Sequence, residues 1–467
     1  MLSYFFVDNS VKSYYNKYNS ETTDLNVYTE FSFMFQGLKK QKGMVNMNLY
    51  YFVVIIGFIC ILGFLNEKLT RLTYGISLML FSVVIGIFLL TGTAVLKGTG
   101  YADILEQVQI LNIESFLMEG VLCFMLFAGS CHMKLSDFKA HARQITVLAF
   151  VCTFLGACFY GGLFYGAGLL LGLDISLPVC LMFGSIAAPT DPIAATGILS
   201  KFNLPKNISF LIEGESLFND GVGVALFVCF SGIATATSSG SFVGIILKEI
   251  LGAVLVGASV TLLCFLMFRF SKSRTLGIFI SLFAVSLSYC ICEGFGFSGA
   301  IASVICGILF SALRSRFSKE EPPEKAQAFD SFWETLDSLL NSALYVMLGL
   351  TFVRILQMEQ VVILSLIAIA ANLIARAGSL SVSSLFMGRL PDGYDKFNFI
   401  RLLTWCGLRG GLSVALAMST KSMLPEKTYY IILGGAYAIV FFTTIIQGLT
   451  MKPVYNRISR SVSKNHN

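Results

Sequence analysis

Residues 187–223 read AAPTDPIAATGILSKFNLPKNISFLIEGESLFNDGVG. Asp191, Glu213, Glu215 and Asp220 stand here between long apolar runs. A charge at the centre of a bilayer costs about 2.5–3.5 kcal/mol on insertion scales. Acids in such a place face a bundle interior or a water-filled cavity, and they mark an ion or proton path. Pro189-Thr190-Asp191-Pro192 falls in mid-run. Proline removes a backbone donor and clashes with the preceding turn, so a broken helix is expected there.

The surrounding chain supplies the membrane. Of its 467 residues, 55% are hydrophobic and 13% charged, against about 25% charged in soluble domains. Its mean hydropathy is +0.76. Apolar runs of about 20 residues, without strand-like alternation, predict an all-α polytopic membrane protein whose partner is the lipid bilayer. The runs cover 47–65, 71–92, 113–133, 144–172, 177–200, 206–236, 241–270, 275–293, 296–314, 330–354, 360–388, 398–420 and 428–450, giving 13 candidate helices. Residues 1–46 form a polar N-terminal tail without the apolar core of a signal peptide. It reads as a disordered tail or, with Met44 and Met47 just ahead of the first run, as an extension upstream of the natural start; the membrane domain covers 47–450. Residues 451–467 read as a short basic tail, with no soluble regulatory domain after the last run.

Lys and Arg gather after odd-numbered runs, as in Lys134, Lys139 and Arg143 or Arg314, Arg316, Lys319 and Lys325. Even-numbered runs are followed by little more than Lys97, Arg354, Lys421 and Lys427. The positive-inside rule then places the odd-to-even loops and the C-terminus in the cytoplasm and the N-terminus outside. Lys39, Lys40 and Lys42 argue the other way. This bias accounts for the net charge of +6, which calls for no nucleic-acid partner. The 12 cysteines all lie in apolar runs without a CxxC pair, and read as small buried hydrophobes.

A second interruption, Cys406-Gly407-Leu408-Arg409-Gly410-Gly411, breaks the twelfth run. It occupies the middle of runs 11–13, as the Pro189 break occupies the middle of runs 4–6. Paired interruptions in corresponding halves are the best sequence pointer to a transporter site and predict an inverted repeat. Broken helices expose partial charges of about half a unit at mid-membrane. Asp191 suits the N-terminal ends and Arg409 the C-terminal ends. On the sixth run, Glu215, Ser216, Asn219 and Asp220 form one polar stripe at helical spacing. Such oxygens are hard ligands for Na⁺ or Li⁺, and a carboxylate withdrawn from water can hold a proton instead. Thr190 can add its hydroxyl and carbonyl. One carboxylate that holds either a cation or a proton is the minimum for coupled exchange.

Arg376, well inside the eleventh run, cannot discharge its cost by deprotonating and needs an acid. Glu215 and Glu213 are the candidates, with Glu215 favoured because it shares the stripe with Asp220. His132 and His141 read as surface residues. Trp333, Glu334, Asp337 and Asn341 read as packing and access contacts, and Glu119 and Glu293 as outer-end acids. No histidine accompanies Ser216 in its run, which argues against a membrane hydrolase and against an enzyme.

TDPIA at 190–194, EGESLFNDG at 213–221, Arg376 and WCGLRGGLSVALA at 405–417 together resemble the monovalent cation:proton antiporter-1 family. These are the sodium/proton exchangers of the NhaP and NHE type. FWETLDSLLNSALYVMLGL at 332–350 also looks like that family's tenth helix. The resemblance implies an NhaA-like fold with two broken crossing helices. It implies that Asp220 carries cation and proton, that Ser216 and Thr190 complete the Na⁺ site beside Asn219 and Asp191, and that Glu215 pairs with Arg376. Asn219, where electrogenic relatives have aspartate, implies one-for-one electroneutral exchange. A homodimer is implied, with an elevator-like core at about 144–236 and 360–450 sliding on a scaffold. No cofactor is implied beyond the transported Na⁺ or Li⁺ and H⁺. Ala128 stands where the family often has an acid, and Gly223-Val224 where it often has a small polar residue. A K⁺/H⁺ exchanger of the same fold, or a cation channel, is the alternative.

Overall fold

The computed structural model describes residues 53, 55–70, 72–95, 117, 120–133, 135–191, 206–235, 242–317, 321–352, 361–388, 390 and 394–464. Two units divide between Phe58 and Ile59. Of the first, residues 53 and 55–58 are described, and they are helical. The second carries the helical bundle, and no strand occurs among the described residues.

The helices are α1 (Tyr74–Val95), α2 (Leu122–Cys131), α3 (Leu135–Thr146), α4 (Thr153–Leu170), α5 (Leu177–Ala187), α6 (Lys206–Ala234), α7 (Phe242–Phe270) and α8 (Arg274–Phe295). They continue as α9 (Gly299–Arg316), α10 (Pro323–Thr351), α11 (Val361–Ser383), α12 (Lys396–Cys406), α13 (Gly411–Ser419), α14 (Glu426–Phe441) and α15 (Gly448–Lys464). Among the described residues, 7 helices are long and apolar enough to span a membrane, or up to 9 with each bent pair taken as one span. Parts of the first and third runs, Glu119, Pro192 and all of 192–205 lie outside the described residues.

Local signals set several ends. Ser273 and Ser298 accept N–H bonds from Leu276 and Ile301 at the starts of α8 and α9, the usual role of an N-cap hydroxyl. Gly296 closes α8 at φ +67°, a conformation that suits glycine.

Two sets of helices pack mostly within themselves. α4, α5, α6, α11, α13 and α14 form one, and α1, α2, α7, α8, α9 and α10 the other. The second set is held by an aromatic core in which Phe127, Phe265, Phe268, Phe310, Phe329 and Trp333 are buried. Phe127 and Trp333 lie 4.4 Å apart between ring centroids. Trp333 also donates its indole N–H to Ser281 Oγ at 3.1 Å. On α7, Leu251, Leu255, Leu263 and Met267 remain exposed, the outward apolar face that a lipid-embedded helix presents.

Two elements differ from the sequence reading. The charged stretch after the third run, read as a loop, is the helix α3, which joins α4 through a π-helical turn at Val147–Cys152. Its polarity is amphipathic: Phe138 packs on Phe218 at 5.6 Å between centroids. The 33-residue helix Phe138–Leu170 is about 50 Å long, longer than the hydrocarbon core of about 30 Å. Residues 451–467, read as a tail, continue as helix to Lys464. Met451 and Ile458 are fully buried and Trp405 donates to Thr450 Oγ1 at 3.2 Å. An apolar stripe spaced by charges is invisible as a membrane run but packs one face onto α12.

Candidate functional site

α5 stops at Ala187 and α12 at Cys406, and the non-helical stretches that follow touch. The Asp191 N–H donates to the Leu408 carbonyl at 2.8 Å. Unpaired carbonyls at a helix end carry partial negative charge. Arg409, 3% exposed, donates Nη1 to the carbonyls of Ala188 and Pro189 and Nη2 to Asn372 Oδ1 at 3.1 Å. Its guanidinium therefore sits on the C-terminal end of α5. Its own backbone is pinned by Thr443 and Thr444, in the turn after α14, at 3.0 and 3.2 Å.

Asp191 accepts the Tyr345 hydroxyl on Oδ2 at 2.7 Å. A Cβ on Gly410 would meet that same Oδ2 at 2.6 Å. A Cβ on Gly223 would meet Pro189 Cγ at 2.2 Å. The departure at Gly223 thus has a steric meaning: the break lies directly on α6.

The α6 stripe meets the break through a closed hydrogen-bond set. Thr190 Oγ1 and Ser216 Oγ lie 2.8 Å apart, Asn219 Nδ2 donates to Thr190 Oγ1 at 2.8 Å, and Thr190 N–H donates to Asn219 Oδ1 at 3.2 Å. All three residues are buried. Glu215 Oε1 receives Arg376 Nη1 at 2.5 Å, with side chains 2% and 6% exposed. Glu213 instead accepts from Ser209 Oγ at 3.3 Å.

Asp220 is half-buried and makes no hydrogen bond or ion pair among the described residues. With Asp191 it borders a chamber of about 60 Å³, closed by Pro189, Gly410, Leu412 and Ser413. A larger vestibule of about 350 Å³ is lined by His132, Glu213, Glu334, Asp337 and Tyr345. Gly129, Leu217 and Asn341 border both. Asn341 donates Nδ2 to Asp337 Oδ1 at 3.0 Å, which holds it at this threshold. His132 therefore faces the vestibule, and Trp333 lines it with a ring whose body is aromatic core.

Tyr345, Asn372, Thr443 and Thr444 were not singled out from the sequence. Asn372 stands one turn before Arg376, and Tyr345 one turn after Asn341, so each continues a helical stripe that was legible. The threonines carried no such signal, since their role comes from the path of α14 past the second break.

The model of the family "Sodium/hydrogen exchanger, transmembrane" matches residues 48–457. The chain is 29% identical over 412 residues to the Na⁺/H⁺ antiporter NhaP of Pseudomonas aeruginosa, covering 85% of this chain and 94% of that one. It is 31% identical over 343 residues to the Na⁺/H⁺ antiporter NhaH of Halobacillus dabanensis, covering 71% and 81%. Its fold is similar to that of the sodium proton antiporter MjNhaP1 of Methanocaldococcus jannaschii, with a TM-score of 0.69, 19% identity, and coverage of 90% and 99%. The end of α5 meets the break between α12 and α13 beside an unpaired carboxylate, and a family model matches most of the length: this multi-pass membrane chain belongs to the sodium/hydrogen exchanger family.

Proposed function

We propose that the chain exchanges Na⁺ or Li⁺ for H⁺ across a cell membrane, with Asp220 as the group that holds either ion. The observation that carries this is Asp220 itself. Every other acid at the crossing has a partner: Glu215 has Arg376, and Asp191 has Tyr345. Asp220 alone faces the chamber without a hydrogen bond or ion pair among the described residues. The named relatives are Na⁺/H⁺ antiporters.

A cation that displaces the proton from Asp220 shares the chamber with Asp191, and Thr190, Ser216 and Asn219, which bond one another where the α6 stripe meets the break, would have to turn their oxygens to it. Arg409 and Asp191 offset the ends of the broken helices, so the chamber tolerates one added charge rather than several. With Asn219 beside it, Asp220 is the single titrating acid, and the exchange is one for one. The Lys- and Arg-rich side is cytoplasmic, the C-terminus included, and the vestibule opens toward it. The set of α4–α6, α11, α13 and α14 slides against the other set, and two copies associate through the latter.

The test is sodium-dependent proton movement in everted vesicles across Li⁺, Na⁺ and K⁺, with and without an imposed potential. Wild type moves protons with Na⁺ and Li⁺ and is insensitive to potential, while Asp220→Asn is inserted but inactive. Exchange retained by Asp220→Asn would overturn the assignment; a response to K⁺ alone would shift it to K⁺/H⁺ exchange.

A further inference from the structure

We infer that Ser413, from the second broken helix, supplies an oxygen to the transported cation. This rests on the exchange proposed above and adds a cation ligand from the half of the molecule that carries Arg409.

Ser413 is 2% exposed, and its hydroxyl has no hydrogen-bond partner. It borders the chamber that Asp220 and Asp191 also border. Of the buried side-chain groups left without a partner among the described residues, it is the one at this chamber. The hydroxyls of Thr190 and Ser216 differ, since they satisfy each other at 2.8 Å. Buried polar groups are nearly always paired, and an orphan at a functional cavity calls for an explanation. A hydroxyl carries two acceptor lone pairs, which suit a hard monovalent cation.

Its place on the helix gives the reason for an oxygen there. Ser413 is in the first turn of α13, whose first residues, Gly411 and Leu412, wall the same chamber. The N–H groups of a first turn present positive charge. Bare, they would oppose a cation held by Asp220 and Asp191. An interposed hydroxyl oxygen turns a lone pair toward the cation from that side. The chamber, about 60 Å³, is roomy enough for a partly dehydrated ion with a little water. The site then draws ligands from both repeats, which couples ion occupancy to the fit between the two broken helices.

The experiment measures apparent KM and Vmax for Na⁺ and Li⁺, together with thermal stability of the purified protein. The variants are Ser413→Ala, Ser413→Thr and Ser413→Cys, with Asp220→Asn alongside. Ser413→Ala is expected to raise the Na⁺ KM about tenfold, the loss of one charge-assisted contact, with Vmax close to wild type. Ser413→Thr, which keeps the hydroxyl, is expected to restore KM. A merely orphaned hydroxyl predicts the reverse: Ser413→Ala at least as stable as wild type, with unchanged KM, and that result overturns the inference. If Ser413→Ala inserts poorly, the near-isosteric Ser413→Cys carries the same KM comparison. Inactive Asp220→Asn with unaltered Ser413→Ala refutes this ligand alone, whereas active Asp220→Asn refutes the exchange site beneath it.

Discussion

At the scale of single residues, the acids of 187–223 are sorted by what each one touches. Glu215 and Arg376 are both withdrawn from water and bonded at 2.5 Å. Such a pair contributes little net stability against an apolar replacement, but losing one member leaves an uncompensated charge, at a cost of about 3–5 kcal/mol. Glu215→Ala is therefore expected to lower thermal stability in detergent sharply, and Glu215→Leu with Arg376→Met to recover much of it. Equal stability of Glu215→Ala and wild type would show that the pair does not hold α6 to α11. Glu213, two residues away, faces the vestibule. Its chemistry is the same and its position differs by about 200° around α6, which is why one acid is bound and the other open.

At the scale of elements, the crossing of the two breaks depends on close approach. Pro189 lies against α6 because Gly223 has no side chain, and Asp191 reaches the second break because Gly410 has none. Gly223→Ala places a methyl 2.2 Å from Pro189 Cγ, and overpacking of this kind costs about 1–3 kcal/mol. The expected result is lower stability and impaired exchange, measured by melting and vesicle flux; activity and melting like wild type would mean that the break can move off α6 freely. The breaks themselves were legible, since proline and clustered glycine in an apolar run interrupt a helix by local chemistry. Which residues close them was less so. Thr443 and Thr444 reach Arg409 across 34 and 35 residues of chain, a contact that no local pattern encodes. The helices α3 and α15 were missed for a related reason: their apolar residues occupy one stripe, so a search for continuous apolar runs passes over them.

At the scale of the whole molecule, the vestibule adjoins the chamber through Gly129, Leu217 and Asn341, and the proposed orientation has it open to the cytoplasm. Ser338 lines the vestibule between Glu334 and Asn341. A Ser338→Cys variant lacking the exposed Cys60 and Cys290 is expected to react with a membrane-impermeant thiol reagent in everted vesicles, and slowly or not at all in right-side-out ones. Labelling of only the right-side-out vesicles would reverse the orientation. Sequence by itself determined the membrane class, the two interruptions and the polar stripe of α6. Each follows from composition or from a period along one segment, and local physics is enough. Glu215 was already favoured over Glu213 as partner of Arg376 by the stripe it shares with Asp220, whereas the mutual bonding of Thr190, Ser216 and Asn219, and an unpartnered Ser413 hydroxyl beside Asp220, were decided only by tertiary structure. These depend on which faces of α5, α6, α11 and α13 meet, and burial and pairing are set by that meeting rather than by any segment alone.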